Sequence, residues 1–77
     1  MTATAMGFHE TREAEVLARH VRERRKGLGM TQEQLGHLTG LDPTYICGIE
    51  AAEANPTLMV ICRLGRILGL PASDLLR

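Results

Sequence analysis

The sequence predicts an all-α fold, a compact bundle of five helices with no strand. Three observations carry this. Apolar residues recur at helical spacing, helix-start residues stand ahead of the apolar runs, and glycine or proline punctuates their ends. At 77 residues the chain makes one domain that buries a modest share of its surface and is marginally stable. With one Phe, one Tyr and no Trp, its core has to be built from Leu, Ile, Val and Met.

Residues 1–12 read as a flexible N-terminal tail and residues 13–77 as the folded domain. The first helix covers about residues 11–27, because Ala14, Leu17, Ala18 and Val21 form one apolar stripe. Cations gather in its last turns, where the dipole favours them, and Gly27 and Gly29 end it. Thr31 and Gln34 make a T-x-x-Q capping box that starts the second helix, with Leu35 and Leu38 pointing inward. Gly40 supplies the positive φ of the turn. Asp42 caps the third helix and Pro43 takes its first position, where a missing N–H does no harm. Ile46 and Ile49 are its core contacts, Tyr45 partly so. Thr57 caps a fourth helix with Leu58, Ile61, Leu64 and Leu68 on one face, and a short fifth runs from Pro71 to about Leu76. Gly36 and Gly65 read as sites of close helix packing, at a cost of about 0.5–1 kcal/mol each relative to Ala.

Composition excludes several functions. No run reaches the roughly 18 apolar residues of a membrane span, and the N-terminus MTATAMGFHETR lacks the basic start and apolar region of a secretory signal. Cys47 and Cys62 have no metal-ligand spacing, and such isolated thiols point to a reducing cytoplasm. Cys62 reads as a half-buried core thiol, and Cys47 as a packing residue or, alternatively, one with a redox or DNA role. His9, His20 and His37 share no helical face, so no zinc site is expected, nor any other cofactor. No nucleophile–base pair or carboxylate pair stands out, and a chain this short leaves little room for a substrate cavity, so neither an enzyme nor a small-molecule substrate is expected. Formal net charge is zero, but residues 19–26, RHVRERRK, carry five cations and one acid, whereas residues 27–62 carry Glu33, Asp42, Glu50 and Glu53 and no Lys or Arg.

Residues 31–56, TQEQLGHLTGLDPTYICGIEAAEANP, place a capped helix, a glycine turn and a second capped helix in sequence, the layout of a helix-turn-helix. With Arg22 and Arg25 ahead of Thr31, Gln32, Glu33 and Leu35, then Gly40, Ile46, Ile49, Glu50, Asn55, Pro56, Leu58, Ile61, Leu64, Leu68, Leu75 and Leu76, the chain resembles the Xre/Cro-type phage repressor family. The phrase T-Y-I-C-G-I-E is similar to the T-Y-I-S-G-I-E of restriction–modification controller proteins, small dimeric regulators of comparable length. The resemblance implies a lambda-repressor-like DNA-binding domain whose third helix enters the major groove while the second crosses the backbone. It implies that Thr31 and Gln32 hold a phosphate, helped by free amides at a helix N-terminus. Pro43, Thr44, Cys47 and Gly48 would face bases, with Tyr45 at their edge. Asn55 and Arg22 would touch the DNA backbone, and Arg25 would pair with Glu50 in a structural salt bridge. The expected partners are double-stranded DNA and a second copy of the chain.

The chain departs from this family where base readout is concentrated. Bidentate recognition uses Arg, Lys, Asn or Gln, and the third helix has none of them. Where the family commonly carries Gly with basic residues after the Glu, this chain carries Ala51, Ala52, Glu53 and Ala54. Two functions follow: a dimeric transcription regulator reading an operator palindrome, or a helix-turn-helix that binds another protein as an antitoxin-like or anti-regulator module. Met59, Val60 and Ile67 lie off the apolar stripe of the fourth helix and mark the expected homodimer surface.

Overall fold

A computed structural model describes residues 7–77. A 3-10 turn, Phe8–Glu10, precedes α1 (Arg12–Gly27), α2 (Gln32–Thr39), α3 (Pro43–Glu50), α4 (Leu58–Leu68) and α5 (Ala72–Leu75). Of the expected tail, residues 1–6 lie outside the described residues. Residues 8–10 form the turn, with Phe8 packed partly against the core. The Thr11 hydroxyl donates to the Phe8 carbonyl at 2.7 Å and accepts from the Ala14 amide at 3.2 Å, so one side chain links the turn to α1.

The other helix starts are built as their residues dictate. Thr31 and Gln34 exchange both bonds of the capping box, at 3.0 and 2.8 Å. Asp42 Oδ1 accepts from the Thr44 amide at 2.7 Å, and Thr57 Oγ1 from the Val60 amide at 3.2 Å.

The ends of α1 to α4 share one device. The chain turns through a left-handed residue, and the next amide reaches back to the carbonyl five residues earlier: Met30 to Arg25, Leu41 to Gly36, Glu53 to Gly48 and Leu70 to Gly65, at 2.8–3.0 Å. The left-handed residue is Gly29, Gly40 or Gly69 in three of them, but Ala52 (φ 57°) after α3. An L residue there costs about 1–2 kcal/mol. Ala52→Gly is expected to raise stability by about 0.5–1 kcal/mol after the greater unfolded-state freedom of glycine is offset. An upward shift of the urea midpoint at constant m-value would record it, and a downward shift would refute it.

Gly36 and Gly65 sit at the carbonyl end of the same device. A Cβ on Gly36 would come 2.6 Å from the Leu41 carbonyl oxygen, and one on Gly65 would run into that of Leu70. The steric demand therefore outweighs the intrinsic helix preference for Ala at both positions. The nearest neighbour is the chain doubling back over its own helix, and the next helix is close behind it at 3.4 Å: Pro43 Cγ of α3 beside Gly36 and Leu75 Cδ1 of α5 beside Gly65, the close packing expected of both.

The core is aliphatic, centred on Leu17, Val21, Leu35, Ile46, Ile49, Ile61, Leu64, Leu68 and Leu75. Two expected members are outside it. Leu38 is 52% exposed, because the buried face of α2 runs through Leu35, Gly36 and Thr39. Leu58 is 66% exposed, and the buried residue at that end of α4 is Pro56. Cys62, expected half-buried, is an exposed free thiol on the outer face of α4. No helix among the described residues is long and apolar enough to cross a membrane.

Candidate nucleic-acid interface

The stripe of α1 continues past Val21 to Arg25, which is buried (8% exposed) although charged. Its guanidinium meets Glu50, itself 6% exposed, in a two-bonded pair: Nε donates to Oε2 at 2.7 Å and Nη2 to Oε1 at 2.9 Å. The remaining nitrogen, Nη1, donates to the Met30 carbonyl at 2.7 Å. The hydrogen bond to Glu50 raises the Arg25 pKa above the ordinary arginine value, burial opposes this, and the Glu50 charge adds to it. The pair expected from the resemblance therefore ties α1 to the C-terminus of α3 and, through Met30, to the α1–α2 turn.

Two further side chains join it. Gln32 Nε2 donates to Glu50 Oε1 at 3.1 Å, and Arg22 Nη1 donates to the Glu50 carbonyl at 3.2 Å. Both were expected to face a DNA backbone, and both have partners inside the protein. Gln32 keeps its second amide hydrogen for an outside acceptor, and Arg22 keeps its other guanidinium nitrogens. The Glu50 carboxylate thus positions the first residue of α2.

Thr31, Gln32, Pro43, Thr44 and Cys47 line one open groove, together with Arg25, Met30 and Glu33. The fold brings together five of the residues singled out for contact, because the turn through Gly40 and Leu41 sets the N-termini of α2 and α3 on the same side. Pro43, Thr44 and Cys47 are exposed. Tyr45 is half-buried against the core edge, and Gly48 lies under the loop that returns from α3, its carbonyl accepting from Glu53 and Ala54. Asn55 is exposed but bonded to His9. Among the groove's charges, Arg25 is already matched by Glu50, and Glu33 is acidic. Arg19 and Lys26 are exposed, have no hydrogen-bonded or ionic partner among the described residues, and stand three residues before and four after Arg22, on the same side of α1. Arg24 belongs to the opposite flank, where its Nε caps the α4 C-terminus through the Leu68 carbonyl at 2.7 Å.

On α4, Met59 is 68% exposed, whereas Val60 and Ile67, expected off the core stripe, are half-buried and pack partly against the core. Of that expected surface, only Met59 stands clear of the fold. Sequence reasoning missed the bonds of Gln32 and Arg22 to Glu50, and the attachment of His9 to Asn55. The only local signal for the last was a lone Phe just before a Thr that caps a helix.

The helix-turn-helix family (HTH_3) matches residues 21–75, from within α1 to the end of α5. The chain belongs to this Xre-type family. This helix-turn-helix chain is 39% identical over 62 residues to Control protein C.SmaI of Serratia marcescens, covering 80% of this chain and 74% of that protein. Its fold is similar to the restriction-modification controller protein C.AhdI from Aeromonas hydrophila, with TM-score 0.77 and 31% identity over 84% of this chain and 98% of that one. It is also similar to the controller protein C.Esp1396I, solved as a tetramer in complex with its natural 35 base-pair operator (TM-score 0.76, 29% identity, 86% of this chain and 87% of that one). The family match leaves out Phe8–Glu10 and the first half of α1.

Proposed function

We propose that this helix-turn-helix protein is a sequence-specific transcription regulator that binds an operator palindrome as a homodimer, with α3 in the major groove. The observation that carries the reading is the open groove across the N-termini of α2 and α3, where Thr31, Gln32, Thr44 and Cys47 are gathered while the opposite face of α3 fills the core. Thr31 and the spare hydrogen of Gln32 meet a phosphate beside the α2 N-terminus. Thr44 offers a hydroxyl and a methyl to base edges, Cys47 and Pro43 an apolar surface. Arg22 and Asn55 add backbone contacts. That the controller relative C.Esp1396I was solved in complex with its operator supports DNA as the partner. The reading keeps the cytoplasmic location that the two free thiols suggested.

The charge count makes dimerisation central. Each phosphate contact contributes a slope of about −0.9 in log affinity against log salt. With Arg19, Arg22 and Lys26 as its available cations, one subunit binds weakly, and two subunits double the contacts. Two copies of α3 set about 34–36 Å apart address successive major-groove half-sites. Few base-reading side chains leave much of the selectivity to DNA shape. Substitutions in the uncontacted centre of the operator should then change affinity, and dependence on contacted bases alone would overturn that part.

The dimer surface is assigned to α4 with α5, around Met59, Val60 and Ile67. Met59→Asp adds a charge at an exposed position, so the fold tolerates it. Sedimentation should show a dimer converted to a monomer, and a persistent dimer would exclude this face. Retention of fragmented genomic DNA at low salt, followed by sequencing, tests the whole reading. An enriched short palindrome supports it. A folded dimer that retains nothing would transfer support to the protein-binding module, which the uncharged outer face of α3 favours.

A further inference from the structure

Asn55 leaves the α3–α4 loop as an exposed residue, and its side chain is already held. The His9 backbone amide donates to Asn55 Oδ1 at 2.8 Å, and His9 Nδ1 lies 2.9 Å from the same oxygen. A backbone N–H can only donate, so the atom it meets is the carboxamide oxygen and not the nitrogen. That oxygen in turn requires Nδ1 to carry the ring proton, since two bare lone pairs at 2.9 Å would repel. Both the neutral Nδ1–H form and the imidazolium satisfy this. The other ring nitrogen, Nε2, stands 3.4 Å from Glu10 Oε1, an ion pair when the imidazole is protonated.

Asn55 Nδ2, with two N–H donors, then has no acceptor among the described residues. The turn that carries His9 is anchored on both sides, by Phe8 packed on the core and by the Thr11 hydroxyl bonded to the Phe8 carbonyl. Gly7, the residue before it, passes so close that a Cβ there would meet the His9 ring at 2.7 Å. The clamp therefore reaches across from outside the family-matched segment to a residue inside it.

The geometry points to His9 as a positioning residue: it fixes the Asn55 carboxamide by its oxygen and leaves the NH2 as a ready donor to a phosphate oxygen of the DNA backbone. The inference rests on the DNA-binding reading above. A carboxamide already fixed loses less rotamer freedom on binding than a free one. The contact is neutral, displaces no counterion, and meets every sequence alike.

The test is a double-mutant cycle of His9→Ala and Asn55→Ala, read as affinity for a duplex of mixed sequence at low salt across a salt series. His9→Ala should weaken binding about threefold to tenfold, the range of a single hydrogen bond, with the salt slope unchanged. In the Asn55→Ala background it should have no further effect. His9→Asn, whose side-chain nitrogen sits at the same reach as Nδ1, should restore most of the loss. An equal loss in both backgrounds would overturn the inference, as would a slope reduced by about 0.9, the mark of His9 acting as a cation on phosphate itself. A His9→Ala loss that follows a fallen thermal midpoint, or no loss at all, would overturn it too. Failure of the parent reading looks different: the unaltered protein would then bind no duplex.

Discussion

Glu50→Ala should lower stability by about 3–5 kcal/mol, the cost of leaving a buried charge without its partner. Small domains have total stabilities of about 5–15 kcal/mol, so the variant stands near its unfolding threshold. The size of the effect follows from what one carboxylate does. It accepts from Arg25 at 2.7 and 2.9 Å and from Gln32 at 3.1 Å, at a site where it is 6% exposed. Alanine would leave the Arg25 guanidinium, 8% exposed, with only the Met30 carbonyl as acceptor. Urea unfolding measures the loss directly. A double variant, Arg25→Met with Glu50→Leu, separates the cost of a broken pair from the value of the pair, because an apolar replacement of both members is often neutral or stabilising. It should recover most of the stability while the Gln32 amide loses its acceptor and DNA affinity stays reduced. A loss below about 1 kcal/mol in the single variant, the range of an exposed pair, would contradict a buried, positioning role for Glu50.

Gly65→Ala should cost about 1–3 kcal/mol, as overpacking does, and lower the thermal midpoint by about 4–8 °C per kcal/mol for a domain of this size. Helix propensity alone predicts the opposite sign, a gain of about 1 kcal/mol. The steric term wins because the atom in the way is the backbone carbonyl of Leu70, held by the Leu70 amide's own 2.9 Å bond to the Gly65 carbonyl, and Leu75 Cδ1 closes the other side at 3.4 Å. A flexible side chain could swing clear, and this carbonyl cannot. Gly48→Ala is the internal control, since its Cβ would meet only the Ala54 methyl at an ordinary 3.5 Å. A thermal scan showing Gly65→Ala as stable as the parent would mean that the Leu70 turn gives way.

Much of the fold was legible because its signals are local. Thr31 with Gln34, Asp42 with Thr44, and Thr57 with Val60 each bond within their own turn, so the helix starts follow from residues two or three apart. Gly29 and Gly40 mark two helix ends because only glycine takes their positive φ without strain. Periodicity placed Leu17, Val21, Ile46, Ile61 and Leu64 in the core, but it erred where a helix is short or begins: Leu38 and Leu58 have the spacing and are exposed. The Arg25–Glu50 pair came from family resemblance, since a charged residue on an apolar stripe has no local signature of burial.

The chain by itself determined its class, its five helices, their caps and most of its aliphatic core, because those depend on neighbours within about one or two turns. Only the tertiary structure decided what the polar residues do. Gln32 and Arg22 turn to Glu50, Arg24 caps α4, and His9 clamps Asn55, across separations of 18 to 46 residues. A donor takes whichever acceptor the packed helices bring within about 3 Å, and that is set by how the elements dock, not by the spacing along the chain.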